Sequence, residues 1–138
     1  MDRKDLQELS KVRVKEATAL LKLGSFDGAY YLGGYAVECA LKACIVQQFR
    51  EHEVPDKKLV NSFYTHRLDE LLAISGLKSP FDAQSATDSQ FKQNWERLLE
   101  WNETARYDIR VTEVDARRIR EAVGHATSGL LPWLKKYW

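Results

Sequence analysis

Residues 24–43 read GSFDGAYYLGGYAVECALKA, and this stretch decides the fold. Small side chains recur within it at spacings of four and three residues, at Ala29, Gly33, Ala36, Ala40 and Ala43. That spacing aligns them in one seam along a helix, where a second helix approaches closely because no large side chain separates the backbones. Apolar residues also occupy most of the remaining circumference. We therefore expect residues 25 to about 50 to form the buried central helix of the domain.

Helical periodicity also precedes the central helix. Apolar residues fall in one stripe over residues 5–23, which predicts a first helix. Gly24 is predicted to end this helix in the left-handed conformation, and Ser25 to cap the central one.

Three more helices are predicted after the central one. A short helix runs from 65 or 66 to 75 and stops at Gly76, and a longer one runs from 87 to about 102, opened by a capping box of Thr87 and Gln90. The last helix is predicted from Thr112 to the C-terminus as one continuous element kinked at Pro132, with Ala126 in its apolar stripe. Residues 51–64 and 78–86 are predicted loops.

No part of the sequence alternates with a period of two residues, so the expected fold class is all-α. The expected architecture is an up-down antiparallel bundle of four main helices plus one short helix. Without a linker rich in glycine, serine or proline, the chain is expected to form a single domain over residues 1–138.

The charge balance excludes some functional classes. The 21 Lys and Arg residues nearly cancel the 20 Asp and Glu residues, leaving a net charge of +1. A protein that coats DNA would need an excess of basic charge. The apolar stretches are shorter than the roughly 20 residues of a bilayer span, and the charged N-terminus does not resemble a secretory signal. These features predict a soluble, cytoplasmic protein.

The two cysteines, Cys39 and Cys44, lie on the central helix. Their side chains diverge by about 140° around it, which disfavours a disulfide. No neighbouring histidine or second cysteine pair completes a metal-ligand set. We expect two small buried thiols and no metal site.

Two polar features interrupt the apolar segments. Glu38 and Lys42 stand four residues apart on the central helix, the favourable order for an ion pair. Either they form a structural pair in a crowded core, or Glu38 is part of a polar pocket at a subunit junction. His66 opens the short helix, where the positive end of the helix dipole opposes a cationic imidazole, so His66 should be neutral or bound to a carboxylate.

The connection before the last helix contains Arg106 and Tyr107. A guanidinium can grip phosphate oxygens while an aromatic ring stacks on a base. The alternative is a capping arginine with a ring packed on the end of the bundle.

Residues 24–43 resemble the signature helix of HEPN domains, the higher eukaryotes and prokaryotes nucleotide-binding family. Two later segments are similar to that family in the same order: Thr-His-Arg-Leu-Asp-Glu-Leu-Leu at 65–72 and Ala-Arg-Tyr at 105–107. The resemblance spans residues 5–138. It implies a small helical bundle without a cofactor, usually a homodimer, often encoded beside a minimal nucleotidyltransferase that acts as antitoxin in some toxin–antitoxin pairs.

Toxic members of that family cut RNA with an arginine followed, after four to six residues, by a histidine near the start of the last helix. In this chain Val111, Thr112 and Glu113 stand where that histidine would be. Arg118 and Arg120 have the formal spacing to His125, but a regular helix turns Arg120 away from it and separates Arg118 by two turns.

The resemblance therefore implies a nucleotide- or RNA-binding component of a toxin–antitoxin or defence-type module, rather than a nuclease. The residues expected at its binding site are Arg106, Tyr107, Glu38, Lys42 and His66. One alternative is a metal-independent ribonuclease toxin that uses His125 or His66. Another is a non-catalytic domain for dimerisation and partner binding.

Overall fold

The computed structural model describes residues 1–49, 53–107 and 110–138, without the side chains of Glu103 and Arg106. These residues contain eight α-helices, one 3-10 helix (η1) and no strand. The helices are α1 Arg3–Lys22, α2 Phe26–Val46, α3 Lys57–Phe63, α4 Leu68–Ile74, α5 Lys78–Thr87, α6 Ser89–Leu99, η1 Glu103–Tyr107, α7 Glu113–Gly124 and α8 Leu130–Leu134. The predicted all-α bundle is confirmed. None of the described helices has the length and apolar character needed to cross a bilayer.

Helices α1 and α2 form an antiparallel hairpin. Gly24 ends α1 with a φ of 78°, the left-handed conformation predicted for it. Ser25 occupies the N-cap position of α2, but its side chain makes no capping hydrogen bond. The buried Ser10 hydroxyl instead ties the hairpin together by donating to the carbonyl oxygen of Ala36 at 2.7 Å.

The central helix α2 is buried on most sides, as its composition predicts. Its glycines allow close packing: a Cβ at Gly33 would lie 2.8 Å from Cγ2 of Ile119 in α7, and one at Gly34 would overlap the Trp101 ring. Cys39 and Cys44 are free and buried. Burial raises the pKa of Cys39 to about 11 and that of Cys44 to about 12, so both remain thiols at neutral pH.

Two helices lie in segments that were expected to be loops. Helix α3 begins after Asp56, whose side chain accepts from the backbone N–H of Lys58 at 2.9 Å. In α5, Pro80 occupies the first turn, where the missing N–H has no intrahelical acceptor to lose. Burial of Phe81 against the aromatic rings of α6 and α8 supplies the stabilisation that the polar sequence of α5 does not reveal.

The predicted capping box of Thr87 and Gln90 is wrong. Thr87 is the last residue of α5, and Asp88 caps α6 by accepting from the backbone N–H of Phe91 at 3.0 Å. The Thr112 start of α7 is confirmed, and there the capping box is real: Thr112 and Asp115 exchange side-chain to backbone hydrogen bonds.

The continuous kinked C-terminal helix is also wrong, because α7 stops at Gly124 and α8 starts at Leu130. Pro132 lies in the first turn of α8, where proline begins a new helix without disrupting an old one. A tight turn joins the two helices, with the Gly129 N–H donating to the His125 carbonyl at 2.9 Å. Ala126 is exposed in this turn, whereas the predicted apolar positions of both helices, among them Ile119 and Leu134, are buried.

Candidate functional site

A buried ionic cluster joins α2 to the start of α4. The carboxylate of Glu38 is only 2% exposed, and its Oε1 lies 3.0 Å from Nζ of Lys42 and 2.8 Å from Nδ1 of His66. The sequence predicted the Glu38–Lys42 pair and a carboxylate partner for His66, and the structure brings the three together. Because an unpaired buried carboxylate is costly, Glu38 needs both partners. We call these three residues the Glu38 cluster.

Aromatic and thiol side chains lie beside the Glu38 cluster. Lys42 lies over the ring of Phe63 in α3, with Nζ 5.3 Å from the ring centroid. One turn before Glu38, burial raises the pKa of Tyr35 to about 12, and the neighbouring Cys39 and Glu38 contribute to this shift. Tyr35 and Cys39 are therefore uncharged at neutral pH, and Glu38 supplies the negative charge here.

His66 presents a half-exposed ring, with 52% of its side chain accessible to solvent. With Nδ1 directed at Glu38, Nε2 is the ring nitrogen left to act outward. A carboxylate that fixes the tautomer of a histidine in this way orients it as a proton acceptor. The arrangement suits either a structural tether for α4 or general-base chemistry at the surface.

Aromatic rings continue the same flank of α2 towards η1. Tyr31 stacks on Tyr35 and on Trp101, with both centroid separations 6.0 Å. Trp101 packs on Gly34, and Asn102 then opens η1 by accepting from the backbone N–H of Thr104 at 2.8 Å. The indole ring of Trp101 occupies the space that a side chain at position 34 would need. Its packing on Gly34 therefore holds the residues just before η1 against α2.

The predicted pair Arg106 and Tyr107 ends η1. The Tyr107 side chain is well exposed, at 74%, so part of its ring is accessible from solvent. The Arg106 side chain lies outside the described residues. The start of η1 and the first turn of α4 line one cleft of about 430 Å³, formed in part by Arg67, Trp101 and Thr104.

A second cleft, of about 460 Å³, lies between α2, α6 and α7, and nothing in the sequence pattern predicts it. We call it the arginine cleft; its lining residues are Tyr30, Arg97, Glu100, Arg110, Val111, Asp115, Arg118 and Ile119. Within the described ranges the side chains of Arg97 and Arg118 form no hydrogen bond or ion pair. No local sequence motif predicts this site, because its arginines belong to two different helices and to the segment that connects them.

Two exposed arginines outside this cleft, Arg67 and Arg117, are by contrast paired with carboxylates. Arg117, next to Arg118 in sequence, donates to Glu113 at 2.8 Å, and Arg67 contacts both Asp69 and Glu70. The arginine cleft is lined by three arginines and two carboxylates, Glu100 and Asp115, and among the described residues Arg97 and Arg118 have no carboxylate partner.

His125 lies at the end of α7, where it organises the turn into α8. Its Nδ1 accepts from the backbone N–H groups of Ser128 at 2.9 Å and Thr127 at 3.2 Å. Nε2 lies 3.7 Å from Oε1 of Glu121, beyond hydrogen-bond distance. These contacts give His125 a structural role in the turn and direct its Nδ1 lone pair inward.

The comparisons with known proteins leave the family undecided. No protein-family model, no curated protein and no solved structure matches this chain.

Proposed function

We propose that this chain is a nucleotide- or RNA-binding component of HEPN type and that it holds phosphate in the arginine cleft. The observation that carries the proposal is the convergence of Arg97, Arg110 and Arg118 on one cavity. Two of these, Arg97 and Arg118, have no partner among the described residues. Guanidinium groups bind phosphate oxygens in pairs of parallel hydrogen bonds, so unpaired arginines facing one cavity suit an anionic phosphate.

Two tyrosines are candidates for stacking on a base. Tyr30 forms part of the wall of the arginine cleft, and Tyr107 exposes a ring at the end of η1. Such rings stack on bases with little dependence on sequence. In this proposal Arg106 binds phosphate and Tyr107 stacks on the base. The Glu38 cluster holds α4 in position, and through the cleft that α4 and η1 line together it also positions η1.

Titration with a fluorescently labelled oligoribonucleotide and with AMP tests the proposal. We expect Arg97→Ala and Arg118→Ala each to weaken binding about tenfold, and each to lower the slope of log K against log salt by about one. Arg117→Ala is the matched control, because Arg117 is adjacent in sequence but already paired with Glu113. Equal affinity of the three variants and the original protein would contradict the proposal.

The expected homodimer and nucleotidyltransferase partner belong to the same proposal; the resemblance suggests both, and as a sequence pattern the seam of small residues on α2 also suits a dimer interface. Light scattering of the purified protein, alone and with the neighbouring gene product, tests both. A monomer that does not bind the neighbouring gene product would contradict the toxin–antitoxin assignment. The nucleotide titration would still test the binding site independently.

A metal-independent ribonuclease is the second candidate, favoured by the 2.8 Å contact between Glu38 and His66. A general base oriented by a carboxylate can remove the proton of an attacking 2′-hydroxyl. Cleavage of RNA in the presence of EDTA, lost in His66→Gln and retained in His125→Gln, would support it. Absence of cleavage by folded protein would leave the binding function alone.

A further inference from the structure

A separate crevice lies where α1, α2 and α7 meet. Its volume is about 190 Å³, and its apolar walls include Val14, Leu21 and Val123. Small residues on the three helices create the gap, because Ala17, Ala29 and Ala116 do not reach across it. The crevice is distinct from the arginine cleft, which lies on another side of α7.

The mouth of the crevice carries two charges of opposite sign. Arg120 and Glu121 both line it. In the described part of the chain Arg120 forms no ion pair or hydrogen bond. Glu121 Oε1 lies 3.7 Å from Nε2 of His125, beyond hydrogen-bond distance, and His125 Nδ1 accepts from two backbone N–H groups of the following turn. Among the described residues, no carboxylate pairs with Arg120 and no lysine or arginine pairs with Glu121.

We propose that this crevice binds a small zwitterion with an apolar body, namely a free aliphatic α-amino acid such as leucine. The ligand carboxylate binds the Arg120 guanidinium, its ammonium binds Glu121, and its side chain enters the apolar crevice. A cavity of about 150 Å³ is enough to hold benzene, so this one accommodates a branched aliphatic side chain. A simple anion would meet the repulsion of Glu121, and a simple cation that of Arg120.

Three ligands of the same shape test the proposal in an NMR titration of the full chain. L-leucine carries both charges, 4-methylpentanoate carries only the carboxylate, and 3-methylbutylamine carries only the ammonium. We expect leucine to bind at least about tenfold more tightly than either analogue, since each charged hydrogen bond contributes to the affinity. The amide shifts should concentrate around Ala17 and Val123.

Two variants test which residue binds which charge of the ligand, and a third variant serves as control. Arg120→Gln should reduce leucine affinity to that of the amine, and Glu121→Gln should reduce it to that of the carboxylate. Arg117→Gln should leave leucine binding unchanged. Both altered residues are exposed, so folding is not at risk.

Several outcomes would overturn the inference. They are no shifts around the crevice at millimolar leucine, equal affinity for all three ligands, and leucine binding unaffected by both head-group variants. Because the arginine cleft uses other residues, loss of this inference leaves nucleotide binding intact, and loss of nucleotide binding leaves this inference intact.

Discussion

At the scale of single residues, Glu38 is the most constrained side chain in the central helix. It is a carboxylate buried among apolar neighbours, and Lys42 and His66 share one of its oxygens. Burial of a charge is tolerated only when partners replace the water it loses. Each partner is therefore expected to contribute to stability more than a surface ion pair does.

Replacing Lys42 tests that expectation. We expect Lys42→Met to lower the free energy of unfolding by about 2 kcal/mol, because Glu38 stays buried with one partner fewer. Urea denaturation measures the change. Lys15→Met, on the exposed side of α1, is the matched control and should fall within about 0.5 kcal/mol of the original protein. Equal stability of the two variants would mean that His66 alone satisfies Glu38.

Substituting alanine for glycine is expected to change the stability differently at two sites, Gly34 and Gly124. Gly34→Ala should cost about 1–3 kcal/mol, since the added methyl group must displace the Trp101 ring. Gly124→Ala, where no atom lies within 4 Å of the new methyl group, should be neutral or stabilising by up to about 1 kcal/mol. Thermal unfolding of both variants checks this. Similar melting temperatures would show that Trp101 moves aside without loss.

At the scale of elements, Asp88 links three of them. Besides capping α6, its carboxylate accepts from the Ser128 hydroxyl at 2.8 Å and from the Gln84 side chain of α5 at 3.4 Å. The backbone N–H of Phe91 is the main cause that lowers the pKa of Asp88, and the Ser128 hydrogen bond adds to it. A lowered carboxyl pKa stabilises the fold above the ordinary pKa of the group, and this contribution is lost as the pH falls through the native value.

The lowered pKa of Asp88 predicts how the stability of an Asp88 variant changes with pH. We expect Asp88→Asn to be less stable than the original protein at pH 7. The difference should shrink as the pH falls below about 3.8, where protonated Asp88 comes to resemble asparagine. Urea unfolding at several pH values measures it. A difference that stays constant with pH would exclude the carboxylate charge as its cause.

The elements also show where sequence reasoning succeeds and where it stops. Helices α1 and α2 and the glycine stops at Gly24 and Gly76 follow from periodicity and backbone conformation, which are local properties. Helix α5 escaped detection because its stability comes from burying Phe81 against distant rings. The ionic cluster was partly predictable, since Glu38 and Lys42 are one turn apart, whereas the arginine cleft requires tertiary structure.

At the scale of the whole molecule, the two buried thiols report on global opening. Their raised pKa values and burial keep Cys39 and Cys44 unreactive in the native fold. At pH 8 an aromatic disulfide reagent should label them only through unfolding. When reclosing is faster than labelling, Lys42→Met should accelerate the reaction about thirtyfold, in line with its loss of stability. Rapid labelling of either thiol in the original protein would instead indicate local opening of α2.

The sequence distance between α2 and the helices α7 and α8 that pack on it matters while the chain is being synthesised on the ribosome. Helix α2 is synthesised well before two of the helices that cover it, α7 and α8; the Cys44 thiol contacts the carbonyl oxygen of Leu134 across 90 residues. Helix α8 has only five residues and is too short to persist before it docks. The part of the apolar α2 surface that α7 and α8 cover is therefore exposed until these helices have been synthesised, and exposed apolar surface makes a nascent chain prone to aggregate.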